Sequence, residues 1–285
     1  MDVGRNSRSN DGLDWVSKLV DWVGLDYENW NHEYVCSTLF VMKHGPSAWK
    51  SIGKKTKIQT TVNYPSTSVT VDSSGNSVDI VQAFTYLGSQ VQDSGSSEPE
   101  VRRRIAIAQY CMNQLDRFIW RSTITANTKI RLYVAYIQPV LLYGAETWSM
   151  TQTIQRKVDA FDLRCLRRIL RISYRDHISN DEVRRRTGCT AVSELIRARR
   201  LRLFGHLARA GPSADCARAL RVTVHGFPRD WRRPRGRPRL TWTRTVESDL
   251  APINRGLFSA WHLAQDRATW RHLVETATSH HGARY

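Results

Sequence analysis

From Val101 to Ile119, apolar side chains recur three and four residues apart, at Val101, Ile105, Ala108, Met112, Leu115 and Ile119. A helix lays such residues in one stripe. The pattern repeats at Ile130, Val134, Ile137 and Leu141, and again at Ile154, Val158, Phe161, Cys165, Ile169 and Ile172. Each stripe needs another apolar surface to cover it, so three in succession predict a helical bundle. Glu98-Pro99-Glu100 marks the first helix start: proline fits the first turn, and acids suit the positive end of the helix dipole. The second helix is expected to kink near Pro139, which has no N–H to donate.

Upstream of the bundle the period changes to two. Ile58 and Val62, then Val69 and Val71, a turn at Ser73-Ser74-Gly75-Asn76, and Val78 and Ile80 read as a β-hairpin, with a further strand at Phe84–Val91. A Ser/Gly loop at Asp93–Ser97 leads into the helices. Beyond the bundle, Asn180–Arg186 and Ala191–Ala208 read as helices separated by Thr187-Gly188-Cys189, and Gly211-Pro212 ends the second. Phe227–Pro238, rich in Pro, Gly and Arg, reads as an extended linker, and short helices follow at Leu240–Leu250 and Asp266–Ala277. At the start, Trp15, Val16, Leu19, Val20 and Val23 fit a short amphipathic helix, residues 1–10 read as disordered, and Gly45-Pro46 breaks the next segment. The fold class is therefore α+β, mainly α, with a small antiparallel β element ahead of the helices.

Charge divides the chain. Residues 1–100 hold 8 Lys and Arg against 12 Asp and Glu, whereas residues 101–285 hold 35 against 14. The second part is thus the candidate polyanion binder. Its only lysines are Lys129 and Lys157, leaving 33 arginines, and guanidinium grips phosphate bidentately and stacks on bases where ammonium does not. A solvated charged surface is the bland alternative. Cys36, Cys111, Cys165, Cys189 and Cys216 are widely spaced, with no pair close enough to form a local metal clamp or redox pair, and all five are expected to be reduced thiols. No apolar run approaches the ~20 residues needed to cross a bilayer, and the N-terminus lacks a secretory pattern. A nuclear and/or cytoplasmic location is expected, without membrane partners.

Several motifs occur in a telling order. They are Lys54-Lys55-Thr56-Lys57, Phe84-Thr85-Tyr86-Leu87-Gly88-Ser89, Arg102-Arg103-Arg104, and Leu141-Leu142-Tyr143-Gly144-Ala145-Glu146-Thr147-Trp148. Cys165-Leu166-Arg167-Arg168-Ile169-Leu170, Asn180-Asp181-Glu182-Val183-Arg184, Arg200-Leu201-Arg202-Leu203-Phe204-Gly205-His206, Gly236-Arg237-Pro238-Arg239 and Asp266-Arg267 with Trp270-Arg271 follow. Across roughly residues 53 to 278 this resembles the C-terminal portion of the endonuclease–reverse transcriptase of LINE-type (non-LTR) retrotransposons. The resemblance implies a palm-end hairpin acting as primer grip, a helical thumb and an Arg-rich helical C-terminal region. It divides the chain into a poorly defined segment at 1–52, a palm-end hairpin region at 53–96, a thumb-like bundle at 97–175, a basic helical region at 176–226, an Arg/Pro/Gly linker at 227–240 and C-terminal helices at 241–285.

The chain departs from that pattern at its chemical centre. Template-directed phosphoryl transfer needs metal ions clamped by closely placed carboxylates, and no Asp-Asp pair occurs anywhere in the sequence. Asp181-Glu182 is the nearest substitute, on a helix far from the palm. The chain is not expected to polymerise by itself and has no room for an endonuclease domain. No cofactor of its own is expected, Mg2+ belonging to the intact parent polymerase, and no catalytic or metal-binding residue is assigned.

What remains is binding of RNA, DNA or their hybrid. The candidate contacts are Lys55, Lys57, Tyr86, Gly88, Arg102, Arg103, Arg104, Lys129, Arg131, Arg197, Arg199, Arg200, Arg202, Arg235, Gly236, Arg237 and Arg239. Gly88 would let main chain approach the primer and Tyr86 would rest against sugar or base; one arginine of Arg102–Arg104 would lean along the core while others face phosphates. Trp120, Trp148 and Trp242 have apolar neighbours and read as packing residues, and His206 as a packed helix histidine. Two alternatives stay open. Pro234-Arg235-Gly236-Arg237-Pro238 matches an AT-hook, whose flat Arg-Gly-Arg lies in a narrow minor groove, which would make this a DNA-binding or chromatin protein; or the chain is a gene-model fragment without a selected role. Arg184–Arg186 and Arg197–Arg202 also fit nuclear import signals.

Overall fold

The computed structural model describes residues 68–70, 77–79, 81–211, 214–226, 229 and 240–279. The expected helix at Trp15–Val23, the tail at 1–10, the hairpin residues Ile58, Val62, Val71 and Ile80, and the linker apart from Arg229 lie outside the described residues.

Among the described residues, two small antiparallel sheets precede the helices. Strand β1 (Ser68–Thr70) pairs with β2 (Ser77–Asp79), setting Val69 opposite Val78 as the alternation predicts. The segment read as one strand from Phe84 to Val91 is instead two: β3 (Ala83–Tyr86) and β4 (Ser89–Gln92) fold back on each other with Phe84 opposite Val91. Leu87 and Gly88 both take positive φ, 46° and 72°. That pair of left-handed residues is what a two-residue type I′ turn requires, and its twist matches that of the strands.

Helix α1 (Glu98–Gln114) starts where the acids and Pro99 predict and buries Val101, Ala108, Cys111 and Met112. It runs into a π-helical turn at Asp116–Trp120. The wider turn changes the face, so Trp120, 1% exposed, carries the burial that the stripe assigned to Ile119, and its indole N–H donates to the Met112 carbonyl at 2.8 Å. The same happens in the second stripe. Helix α2 (Ala126–Leu132) is followed by a π turn at Tyr133–Ile137 and by α3 (Gln138–Leu141), whose first turn holds Pro139. Proline cannot donate to the carbonyl four residues back, and the chain absorbs the defect as a π turn. Tyr133 is buried there, while Val134, expected in the stripe, is 44% exposed.

Helix α4 (Gln152–Leu170) buries Ile154, Val158, Phe161, Cys165 and Ile169 as the spacing predicts, is capped by Thr151, and ends on Arg171 in the left-handed region. Helix α5 (Asn180–Thr187) is tied beneath it by a buried carboxylate: Asp162 accepts from the Tyr133 hydroxyl and pairs with Arg184. Burial is the main force on this group and pushes its pKa upward against the pull of Arg184. Helices α6 (Val192–Arg209), α8 (Trp242–Leu250) and α10 (Arg267–Ser279) match the expected segments to within two residues at each end. Helices α7 (Asp215–His225) and α9 (Leu257–Leu263) were not expected.

Helix α6 joins two cores. Its first turns meet α4, where the Ser193 N–H donates to Asp159 at 3.0 Å. Farther along, Leu201 and Phe204 pack with Val246, Leu250, Trp261 and Trp270 from α8, α9 and α10. Gly205 makes the closest crossing possible: a β-carbon there would lie 2.2 Å from Trp270 Nε1. Cys111, Cys165 and Cys189 are free thiols, as expected at those three positions. Among the described residues no group of three or more His, Cys, Asp or Glu is placed to hold a metal ion, and no helix is long and apolar enough to cross a membrane.

Candidate nucleic-acid interface

The two most specific sequence motifs meet in space. At the hairpin tip, the Leu87 carbonyl accepts from the Tyr143 hydroxyl at 2.5 Å, and the Gly88 carbonyl accepts from the guanidiniums of both Arg103 and Arg104. Those arginines are aimed by Glu100, buried on α1, which takes Arg103 Nε at 2.9 Å, Arg104 Nε at 2.7 Å and the Gln90 backbone N–H at 2.9 Å. Arg104 also lies over the Tyr143 ring, 4.3 Å from its centre. A charge-assisted lattice of this kind fixes the hairpin to α1 firmly. It leaves Phe84, Tyr86 and Leu87 exposed at 37%, 37% and 51%.

The 141–148 motif is a joint as well. Its carbonyls at Leu142, Glu146 and Trp148 accept from Arg199 at 2.8 Å, from the Trp242 indole at 2.7 Å and from Arg200 at 3.1 Å. Ser149 N–H donates to Ser97 Oγ, the residue before α1, at 2.9 Å. Trp120 and Trp148 are buried and Trp242 is half-buried, so all three pack as their neighbours suggested.

Several cations named from sequence therefore do structural work. Arg104 is 6% exposed and occupied with Glu100 and Gly88, and Arg103 shares that task. Lys129, 3% exposed, gives its ammonium to the carbonyls of Trp120 at 3.0 Å and Ser122 at 2.7 Å, and burial lowers its pKa. Arg200, 2% exposed, pairs with Asp249 at 2.6 Å; Arg197 reaches Glu194 at 3.1 Å and Asp249 at 3.5 Å. The reason is common to all four α6 and α1 positions: an arginine on a helix buried on most sides must take its own counter-charge or carbonyl inward. Arg102 is exposed and paired with Glu98 at 2.7 Å, and Arg131 and Arg202 are exposed. Lys55, Lys57, Arg235, Gly236, Arg237 and Arg239 lie outside the described residues.

The sequence reading missed a coherent basic face. Arg164, Arg167, Arg168 and Arg171 fall at i, i+3, i+4 and i+7 near the end of α4, on the side away from its apolar stripe. Arg164, Arg167 and Arg168 line an open depression beside Asn180, and Arg168 and Arg171 line an adjoining one with Arg121 and Asp116. Three guanidiniums are held in position: Arg167 by the Ile178 carbonyl at 2.8 Å, Arg168 by Asp116 at 2.8 Å, and Arg171 by the Arg121 carbonyl at 2.8 Å. The Arg168 hydrogen bond leads the forces that keep the Asp116 carboxyl below its ordinary range. Asp116 is the one acid lining these two depressions, against five arginines. From Arg164 to Arg171 the helix rises about 10 Å, roughly three nucleotide steps at the ~3.4 Å rise per strand. The i, i+3, i+4, i+7 spacing was the available signal.

No protein-family profile matches the chain, and no solved structure does. Among curated proteins, a Caenorhabditis elegans protein described as transposon-derived is 22% identical over 214 residues, covering 73% of this chain and 75% of the relative. That likeness is consistent with a transposon-related origin for this α+β, mainly α chain.

Proposed function

We propose that this chain is a polynucleotide-binding remnant of a non-LTR retrotransposon reverse transcriptase, without catalytic aspartates and not an enzyme by itself. RNA, DNA or their hybrid would lie along the α4 face, with Arg102, Arg131 and Arg202 as outlying phosphate contacts and Tyr86 at the hairpin tip; it would act in the nucleus and/or cytoplasm. The observation that carries the reading is the α4 face itself. Three arginines on one side of α4 and Arg171 at its C-terminal cap, three of the four fixed by carbonyls or a carboxylate, would present preorganised N–H groups to a polyanion at low entropic cost. The relative's transposon-derived description supports the origin.

The test is a titration of the whole chain against RNA–DNA hybrid, AT-rich duplex and GC-rich duplex at about 50 and 200 mM salt, where several phosphate contacts weaken binding by orders of magnitude. Arg164→Glu, at an exposed position with no ion pair among the described residues, should weaken binding to every sequence alike and lower the salt slope by about one or more. Unchanged binding would remove the α4 face from the interface. A preference for AT-rich duplex would move the assignment to minor-groove reading by Arg235-Gly236-Arg237.

A further inference from the structure

Away from α4, the end of α7 and helix α9 build a cluster of rings. Phe258 is 56% exposed, with the His262 ring 4.6 Å away at 70° and the His225 ring 5.5 Å away at 84°. His225 also meets Trp261, 7% exposed, at 5.7 Å and 80°, and the Arg221 guanidinium lies 6.0 Å from the Trp261 ring. None of these ring contacts is a stack. With more than half its surface in water, Phe258 keeps area for a flat partner, while the rings around it restrict its rotamers and so the entropy lost on stacking.

The surroundings select the partner by charge. On α7 and α9 the one acid is Asp215, neutralised by Arg218 at 3.1 Å. Arg221 and Arg255 are exposed. A flat, uncharged ring system carried on a polyanion fits this setting; a neutral apolar protein surface would leave the cations without counter-charge. We propose that Phe258, flanked by His225 and His262 and assisted by Arg221, is a stacking platform for unpaired bases of single-stranded nucleic acid, separate from the α4 phosphate track. The inference rests on the polynucleotide-binding reading and adds a site and a strand preference to it.

The experiment compares Phe258→Ala with the unmodified full-length chain, using a fluorescent oligouridine, a duplex of the same length and heparin. Base–aromatic contacts removed by alanine weaken single-strand binding by about fivefold to a hundredfold. The expected result is a loss in that range for oligouridine, no change for duplex or heparin, and retention by Phe258→Trp; circular dichroism should stay constant because the side chain is exposed. Photocrosslinking of a 5-bromouridine oligomer should mark the peptide containing Phe258. Oligouridine affinity unchanged in the alanine variant overturns the platform while leaving the α4 reading intact, and so does an equal loss for all three ligands. An unmodified chain that binds none of the three overturns both.

Discussion

Replacing Gly205 by alanine tests the packing of α6 against α10, because two effects of known sign oppose each other there. Alanine in a helix interior is favoured over glycine by about 1 kcal/mol. Against that, the new methyl would sit 2.2 Å from Trp270 Nε1 and 2.3 Å from Cδ1, where carbon contacts prefer about 3.5–4.0 Å. The indole has little freedom to retreat: it is 3% exposed, its N–H donates to the Leu201 carbonyl at 2.9 Å, and Phe204 lies 5.5 Å away. Overpacking costs about 1–3 kcal/mol, and pulling the indole off a buried carbonyl adds about 1–2 kcal/mol. The net loss is then roughly 1–4 kcal/mol. Urea unfolding followed by circular dichroism measures it. In a Trp270→Phe background, where the ring is smaller and makes no hydrogen bond, Gly205→Ala should cost at least ~1 kcal/mol less, a coupling typical of residues in contact. Gly205→Ala at or above the parent stability, or an equal cost in both backgrounds, would refute the proposed crossing.

Leu87→Asn should stabilise the chain by up to ~1 kcal/mol in denaturant titrations, since leucine at φ 46° bears a left-handed penalty of about 1–2 kcal/mol that asparagine tolerates better, and Leu87 is 51% exposed; a destabilised variant would mean that the tip is packed rather than strained. Asp249→Ala strands the buried Arg200 charge and should cost about 3–5 kcal/mol, whereas Arg200→Met with Asp249→Leu should cost less, about 1–3 kcal/mol, for the Trp148 carbonyl left without its donor; a single-variant cost below ~1 kcal/mol would contradict the burial of the pair. Hydrogen bonds from Arg185 and then Arg186 hold the Glu182 carboxyl at about 2 instead of 4.5. With the folded value the lower one, the stabilisation is present above pH 4.5 and disappears as pH falls through about 2. A carbon-detected carboxyl titration with a midpoint near the ordinary value would break that ion-pair account.

Much of the helical layout was legible because core residues repeat with the helix period: Ile154 to Ile169 on α4 fall where spacing puts them. Two π turns were not, since a one-residue change of register leaves Ile119 and Val134 looking like stripe members while Trp120 and Tyr133 take the buried places. Helix α9 has seven residues and no charge, too little for periodicity to show. Helix α7 did carry a signal in Cys216, Leu220 and Val224, four residues apart, which its basic neighbourhood obscured. Among the arginines, residue type alone does not separate exposed positions from buried ones. Arg164 and Arg200 look alike in sequence, but one lies on the wet side of an amphipathic helix and the other on a helix enclosed by α4, α8 and α10, facing an aspartate 49 residues away. Long-range partners of that kind have no local trace.

The joint at residues 141–148 distributes mutational tolerance unevenly. Three of its bonds end on the main-chain oxygens of Leu142, Glu146 and Trp148, which every amino acid supplies, so side chains on the accepting side can drift without dissolving the contact. The donors have less latitude: losing Arg200 strands a buried oxygen, and losing Arg199 or Trp242 leaves a part-buried one without its donor. Descendants of one ancestral fold could thus keep this joint while their sequences diverge around it. A handful of arginines and tryptophans would then remain as its most durable inheritance.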